Sequence, residues 1–570
     1  MLKSDEDRER KAEHQMPGTY HVVANPSSFA GLEEYQDNNS GSKLHSKSRT
    51  TRIHRRRSSS ANEPSSTTGQ DVYEDPETLI LGTFEDNARR PPILGLLTTN
   101  LSKSPTSSLT SQSPGAGFAQ SAHSISRSTE TSPVLGSAVQ SRADQDIVSF
   151  YQQFVRVQLD QVHRDSLGTS SQSGALTFPE VLDKHVDSFP PLYHALMAFS
   201  ALSMAYSQGL QDLNALQHYS KALPYLHSSL RSSQDLSSDG ALLTHFVLLL
   251  YEIAAAEPRG SNLWSQHLSQ LLRILTLRHD LYGMESYSFV VWWVFSIDTH
   301  SVLTGSGSGD FVMTMLANNR MSSLSMECQA SNLSFSDSSS DHPGPCVLEF
   351  HRRILVLAAR MGLLARELRQ KVAQGYGRQT QATLADITQR RQRVEQLRDR
   401  LRRTWKSHAA NFDAMGYSNK TVPIHSRGIL EHTYALYHAC IIYSHTSMWP
   451  HQRLDSGPQN MQELSQSVTR ILQLGLEITS HGFIERKFMV FPLFMAGIAT
   501  INPSDHQQVI RLLIAFENKS IGKVMVATRQ ILEIVYEKQR EVMMLGGNPL
   551  MVDWIDTVAE RGLQMIDARL

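Results

Sequence analysis

The 570-residue sequence predicts an all-α fold: an irregular multi-helix body, solenoid-like in parts, preceded by a long disordered N-terminal region. Three observations lead there. Apolar residues recur at helical spacing from about residue 144 onward, strand-like alternation is nearly absent, and residues 1–143 are rich in Ser, Thr, Pro, Asn and Gln. A segment of the last kind cannot bury enough apolar surface to offset its ordering entropy. The expected organisation is a disordered region over 1–143 and a helical domain over 144–570, with a flexible loop at about 304–345.

The elements follow in chain order. Ile147, Phe150, Tyr151, Phe154 and Val155 fit the i, i+3, i+4, i+7, i+8 template of a helix with one apolar stripe. "SFPPLYHALMAFSALSMAYS" offers Ser188 as N-cap and two prolines for the first turn, then a stretch apolar on most faces, which predicts a buried helix. "LNALQHYSKALPYLHSSL" (213–230) is expected to lie antiparallel to it. "ALLTHFVLLLYEIAAAE" (241–257) and "NLWSQHLSQLLRILTLRH" (262–279) predict a further pair, followed by "SYSFVVWWVFSIDTHSVL" (286–303). After the Gly/Ser-rich passage, helical patterns resume at about 347–373, 380–408, 426–446, 459–480, 504–518, 522–543 and 549–568. Between them, "FMVFPLFMAGIA" (488–499) is too short to span a bilayer, and Pro492 argues against a central strand. It predicts a short buried helix beginning near Pro492, with Gly497 admitting a neighbouring helix and Asn502-Pro503 starting the next. No fixed repeat period of tetratricopeptide type carries through.

Charge is nearly balanced, 54 Lys+Arg against 55 Asp+Glu, so the field of the whole chain cannot drive binding to nucleic acid or acidic membranes. Cys328, Cys346 and Cys440 are the three cysteines, too few and scattered for a disulfide framework or a CxxC zinc site. The first residues lack the apolar core of a signal peptide, and no run reaches the length of a membrane span. An intracellular protein with no membrane partner is expected.

Local charge is densest in "KLHSKSRTTRIHRRRSSS" (43–60), where Lys43, Lys47, Arg49, Arg52, Arg55, Arg56 and Arg57 occur without an acidic residue. In a disordered tail this composition suits a nuclear-import receptor or a polyanion; the competing reading is a solvated basic tail. Phosphorylation of Ser58, Ser59 or Ser60 would weaken the patch. "DVYEDPETLILGTFED" (71–86) sets Tyr73, Leu79, Ile80, Leu81 and Phe84 among acids, the composition of an activation segment, with a sticky linker as the competing reading.

Residues 386–406 carry eight basic and three acidic side chains on one expected helix. Glu395 and Asp399 sit three or four residues from Arg391, Arg398, Arg402 and Arg403, which predicts a salt-bridged outer face rather than a nucleic-acid reader. Leu384, Ile387, Val394, Leu397, Leu401 and Trp405 supply the inward stripe. "GSGSGDF" (305–311) matches neither GxGxxG nor a Walker loop and reads as a flexible turn. His432, His438 and His445 lack metal-ligand spacing and read as partly buried, hydrogen-bonded histidines. No catalytic constellation, metal site or cofactor is expected.

Several stretches, in order, resemble the fungal-specific transcription factor domain, the regulatory domain found C-terminal to zinc-binuclear-cluster DNA-binding domains. They are "FPPLYHALMAFSALSMAY", "HYSKALPYL", "NLWSQHLSQLLRIL", "WWVFSIDTHSVLTGSGSGDF", "FPLFMAG" with Arg511 downstream, and "MVDWIDTVAERG". The signature positions carried by the resemblance are Trp264, His267, Trp293, Asp298, Phe491, Pro492, Gly497 and Trp554. The resemblance implies an all-α regulatory domain, acting in the nucleus, that senses small molecules or masks an activation segment.

The family's zinc-cluster module needs six cysteines near the N-terminus, and this sequence has none before Cys328, so zinc-dependent DNA reading is not carried over. Three readings follow: regulation through partners, a truncated sequence, or weak, salt-sensitive DNA binding by the basic tail. The expectation is a nuclear transcriptional regulator without enzymatic activity. Its partners would be other transcription proteins or coactivators, with a homo- or heterodimer in view and DNA reached through a partner or weakly through the tail. The alternative is a cytosolic helical scaffold without a transcriptional role.

Overall fold

The computed structural model describes residues 141–167, 176–256, 263–283, 285–318, 347–376, 384–414, 424–450, 452, 457–480, 489–517, 523–563 and 565, all within the unit Ser128–Leu570. Every regular element among them is helical. The expected import and activation segments lie outside the described residues.

α1 (Arg142–Phe150) is capped by Ser141, whose hydroxyl accepts the Asp144 N–H. It runs through a π turn (Tyr151–Val155) into α2 (Arg156–Leu167). The wider turn changes which residues face inward. Ile147, Tyr151, Val155 and Leu159 are buried, a spacing of four, while Phe154 is 52% exposed. Phe154 therefore leaves the apolar stripe to which the 3.6-residue template assigns it.

α3 (Phe178–Val186) starts where the Glu180 carboxylate accepts the Thr177 N–H at 2.7 Å. α4 (Pro190–Gln208) has Pro190 and Pro191 in its first turn, but its N-cap is Phe189 and not Ser188. The Ser188 hydroxyl instead donates to the His185 carbonyl at the end of α3. α5 (Leu213–Ser229) runs antiparallel to α4, with His194 near the start of one stacked on Tyr225 near the end of the other. The short α6 (Ser233–Leu236) leads to α7 (Asp239–Ala255), capped by Ser238 and buried along almost its whole length. α8 (Leu263–Tyr282) packs on α7 and anchors it through Arg278. That guanidinium is 4% exposed and donates to Glu285 at 2.6 and 2.9 Å, to Asp239 at 2.9 Å and to the Ser237 carbonyl at 2.7 Å. A buried cation is tolerable because its donors are matched in this way.

α9 (Ser288–Thr304) is buried on all faces. Side chains such as Phe295 and Leu303 there each contribute about 1.5–3 kcal/mol by leaving water. α10 (Asp310–Ala317) lies inside the stretch expected to be a flexible loop, so residues 305–318 depart from that expectation; residues 319–346 lie outside the description. α11 (Val347–Tyr376) packs on α9 and on α13 (Ile424–Thr446), with α12 (Leu384–Ala414) beside it and α14 (Pro458–Ser480) on the far side of α13.

The apolar dodecapeptide forms α15 (Val490–Ile498), buried throughout, with Pro492 in its first turn. It packs against α13, α14, α16 (Pro503–Glu517) and α17 (Val524–Met544). A Cβ on Gly497 would lie 2.7 Å from the Tyr536 hydroxyl and 2.9 Å from Leu532, so the glycine admits α17 as the sequence predicts. The single helix expected over 549–568 is instead a 3₁₀ turn (Pro549–Met551) and a separate α18 (Trp554–Glu560). Asp553 divides them, because its carboxylate accepts the N–H groups of Ile555 and Asp556 and begins a new helix.

Candidate functional site

The signature positions fall in two interior clusters. The first is built on α9. Asp298 has no solvent exposure; its carboxylate accepts the Val312 N–H at 2.9 Å and the Ser301 hydroxyl at 2.9 Å. Burial pushes this carboxyl up to about 6, with the Val312 N–H and the Ser301 hydroxyl pulling the other way and Asp310 adding to the rise. Between α9 and α10 the "GSGSGD" turn is built rather than flexible, which corrects the sequence expectation. Gly305 and Gly309 have φ of 73° and 72°, a region that L side chains rarely adopt. A Cβ on Gly307 would lie 2.2 Å from the Ser301 hydroxyl and 3.1 Å from Trp264. Arg366 on α11 donates to the Ser308 carbonyl. The start of α10, where a phosphate would sit in a nucleotide-binding loop, is held by the chain's own carboxylate.

Beside this turn lies a cleft of about 180 Å³, lined by Trp264, Leu268, Leu272 and Phe311 with Ser265, Ser269, Ser308 and Asp310. It is smaller than the roughly 300–1,000 Å³ of a pocket for a drug-sized ligand. Its one carboxylate, Asp310, accepts the Ser308 hydroxyl at 2.7 Å, and the lining holds no base beside a nucleophile. Trp264 is 1% exposed, so it fills the wall rather than presenting a face to the cleft.

His267 meets His245 of α7, Nδ1 to Nδ1 at 3.4 Å, and burial lowers the two rings to about 3 and about 4. Both are neutral at ordinary pH. Trp293 packs edge-on against Phe178 and Phe246, with centroids 6.0 and 5.2 Å away.

The second cluster joins the C-terminal helix to the rest. Trp554 Nε1 donates to the Ser447 hydroxyl at 2.8 Å, and its ring meets Phe494 edge-on at 4.8 Å. Arg369 of α11 reaches the same place, donating to Asp553 at 3.0 and 3.2 Å, to Asp556 at 3.4 Å and to the Ser447 carbonyl at 2.9 Å. The Thr304 hydroxyl donates to the Met565 carbonyl at 2.8 Å, linking the end of α9 to the chain end. Phe491 lies between His300 and Tyr443, and Pro492 and Gly497 follow it along α15. The eight signature residues thus pack helices and cap turns.

The basic helix resolves largely as predicted. Arg402 donates to Glu463, Asp399 and Glu395, and Arg393 donates to Glu367 at 2.6 and 2.8 Å. Arg398 departs from the outer-face expectation: it is 4% exposed and donates to Ser444 as well as to Glu395. Val394, Leu397 and Leu401 are buried, and Trp405 stacks on Tyr437 at 4.0 Å. Of the three histidines on α13, His438 meets the Ser467 hydroxyl, His432 lies against His351, and His445 gains a carboxylate partner from another helix, Glu463 at 2.9 Å. No cluster of three or more His, Cys, Asp or Glu suited to a metal occurs among the described residues. No described helix is long and apolar enough to cross a membrane. Cys440 is buried, which pushes its thiol up to about 12 and leaves it inert at neutral pH.

Sequence reasoning misses Arg369, Asp553, Ser447 and Arg278 as organising residues. Arg369 and Asp553 are separated by 184 positions, and their pairing has no local signal. Asp553 carries a faint one, an N-cap aspartate before an apolar residue.

Compared with known families, residues 154–566 match the fungal specific transcription factor domain. No curated protein and no solved structure matches the chain.

Proposed function

The chain belongs to the fungal specific transcription factor domain family, and from that membership we propose that it is a nuclear transcriptional regulator whose helical body serves as a regulatory and interaction platform. The observation that carries the proposal is the extent of the match. Residues 154–566 take in the helical body from the π turn to the C-terminal helix. The family is one of transcription factor domains and not of enzymes, and we assign the chain no catalytic role.

In this proposal the basic stretch from Lys43 to Arg57 supplies import, and the acidic-hydrophobic stretch with Tyr73, Leu79, Ile80, Leu81 and Phe84 contacts coactivators. Partners are other transcription proteins, including a second copy or a related chain. DNA is reached through such a partner or, weakly, through the basic stretch.

Tethering the full chain to a promoter through an unrelated DNA-binding domain tests the proposal. A change in transcription, up or down, is expected. Unaltered output from a reporter at which the fusion is demonstrably bound would count against it.

A further inference from the structure

Among the described residues, three pairs of imidazoles meet where helices cross: His194 with His218 between α4 and α5, His245 with His267 between α7 and α8, and His351 with His432 between α11 and α13. The first pair is joined to a carboxylate from a third helix. The Nδ1 atoms of His194 and His218 are 3.1 Å apart, and His218 Nε2 lies 3.4 Å from the Asp144 carboxylate on α1. Tyr225 stacks over His194 at 5.1 Å with the rings inclined by 14°.

Two nitrogens at that separation share one proton. With both rings neutral, His194 carries its hydrogen on Nδ1 and donates it to His218 Nδ1, while His218 carries its own on Nε2 and presents it to Asp144. One added proton is accommodated. His218 becomes the cation facing Asp144, its Nδ1 now donates, and His194 moves its hydrogen to Nε2 to offer a lone pair. A second added proton leaves N–H groups on both Nδ1 atoms, two donors and two positive charges face to face. That arrangement cannot remain closed.

We propose that the Asp144–His218–His194 chain is a proton-operated clasp that holds α1 on the α4–α5 pair and releases it as pH falls.

The surroundings set the direction. Burial lowers His194, and His218 and Lys221 lower it further, to about 4, against the opposing pull of Asp144. Burial likewise lowers His218, with Asp144 opposing and Lys221 adding. Tyr193 and Tyr225 also lie against the pair, from α4 and α5. α3 and α7 also pack on α4. Of their carboxylates, Glu180 accepts the Thr177 N–H, Asp183 meets Tyr151 and Arg156, Asp239 meets Arg278 and Tyr287, and Glu252 is buried on α7. A histidine whose folded pKa lies below its free value stabilises the closed state above about pH 6.5, and this is lost as pH falls toward about 4. The His245–His267 pair, wholly inside the core, opens with the fold itself and carries an acid sensitivity of the same sign, so the clasp is read against a variant of its own and not against α7.

Hydrogen exchange on the full chain, corrected for intrinsic rates, tests the clasp. Between pH 7 and pH 5 the amides of 143–155 should gain roughly tenfold in exchange in wild type relative to the same amides in His194→Gln. His194→Gln, at the half-buried end of the hydrogen-bonded chain, removes the site of the second proton and is therefore the reference. Asp144→Asn keeps an acceptor but removes the charge that favours the imidazolium, and should enlarge the pH-dependent gain. A wild-type-to-variant ratio that does not move with pH would overturn the proposal. So would an Asp144→Asn profile that coincides with wild type.

Discussion

Asp298 accepts the Val312 N–H at 2.9 Å from a fully buried position, so one carboxylate fastens the start of α10 to α9. Removing it leaves the buried Val312 N–H without its acceptor, at about 1–3 kcal/mol, and takes one bond from the Ser301 hydroxyl, which keeps the Asp298 carbonyl at 2.8 Å. Asp298→Ala is therefore expected to lower the unfolding free energy by about 2–4 kcal/mol. Urea denaturation followed by circular dichroism reads this directly. A variant as stable as wild type would show that the turn is held by other groups.

The same carboxyl has a distinct pH signature. Its pKa is raised to about 6 by burial, above the ordinary value of 3.8. Between those two values the folded state binds a proton that the unfolded state has lost, so this group's contribution to stability falls as pH rises from about 4 to about 6 and is level above. The buried histidines act oppositely over nearly the same range. The informative quantity is thus the difference between wild type and Asp298→Asn: wild type should lose stability relative to the variant from pH 4 to pH 6. A difference that stays flat would place the carboxyl at an ordinary value.

At the C-terminal cluster, Trp554→Ala should cost about 3–5 kcal/mol, as for other buried tryptophans. Trp554→Phe should cost less, because the contact with Phe494 survives while the hydrogen bond to Ser447 is lost. Arg369→Ala strands Asp553, which is 14% exposed, and should cost about 1–3 kcal/mol. Thermal denaturation orders the three; an Arg369→Ala protein with unaltered melting would remove the arginine from the account.

Fluorescent reporters test the two N-terminal stretches separately. Residues 40–62 should carry a reporter into the nucleus, and replacing Arg55, Arg56 and Arg57 with alanine should leave it in the cytosol. Residues 65–100, tethered to a promoter, should activate it, and Leu79, Ile80 and Phe84 changed to alanine should silence it. A cytosolic reporter, or a silent wild-type segment, would withdraw the corresponding role.

Much of the fold is legible because it rests on local periodicity. The helices from 213, 241, 262, 347 and 459 are found within a few residues of their expected ends, and the dodecapeptide around Pro492 is a buried helix. What escapes has identifiable causes. Phe154 turns outward because a π turn changes the period within a single helix. The "GSGSGD" turn looks flexible in composition, yet Asp298 and Arg366 fix it from elsewhere in the chain. The stretch 549–568 reads as one helix until Asp553 caps a new one in its middle. For the signature residues, Trp264, Asp298 and Trp554 are legible as a set through resemblance, whereas what each of them holds depends on contacts between distant segments.

The central claim is that the chain regulates transcription, and chromatin profiling of the tagged full chain in its own cells tests it most directly. The account predicts a reproducible set of enriched loci, adjoining genes whose transcripts change when the protein is removed. A nuclear or cytosolic protein with no enriched loci and no transcript changes on removal would contradict it.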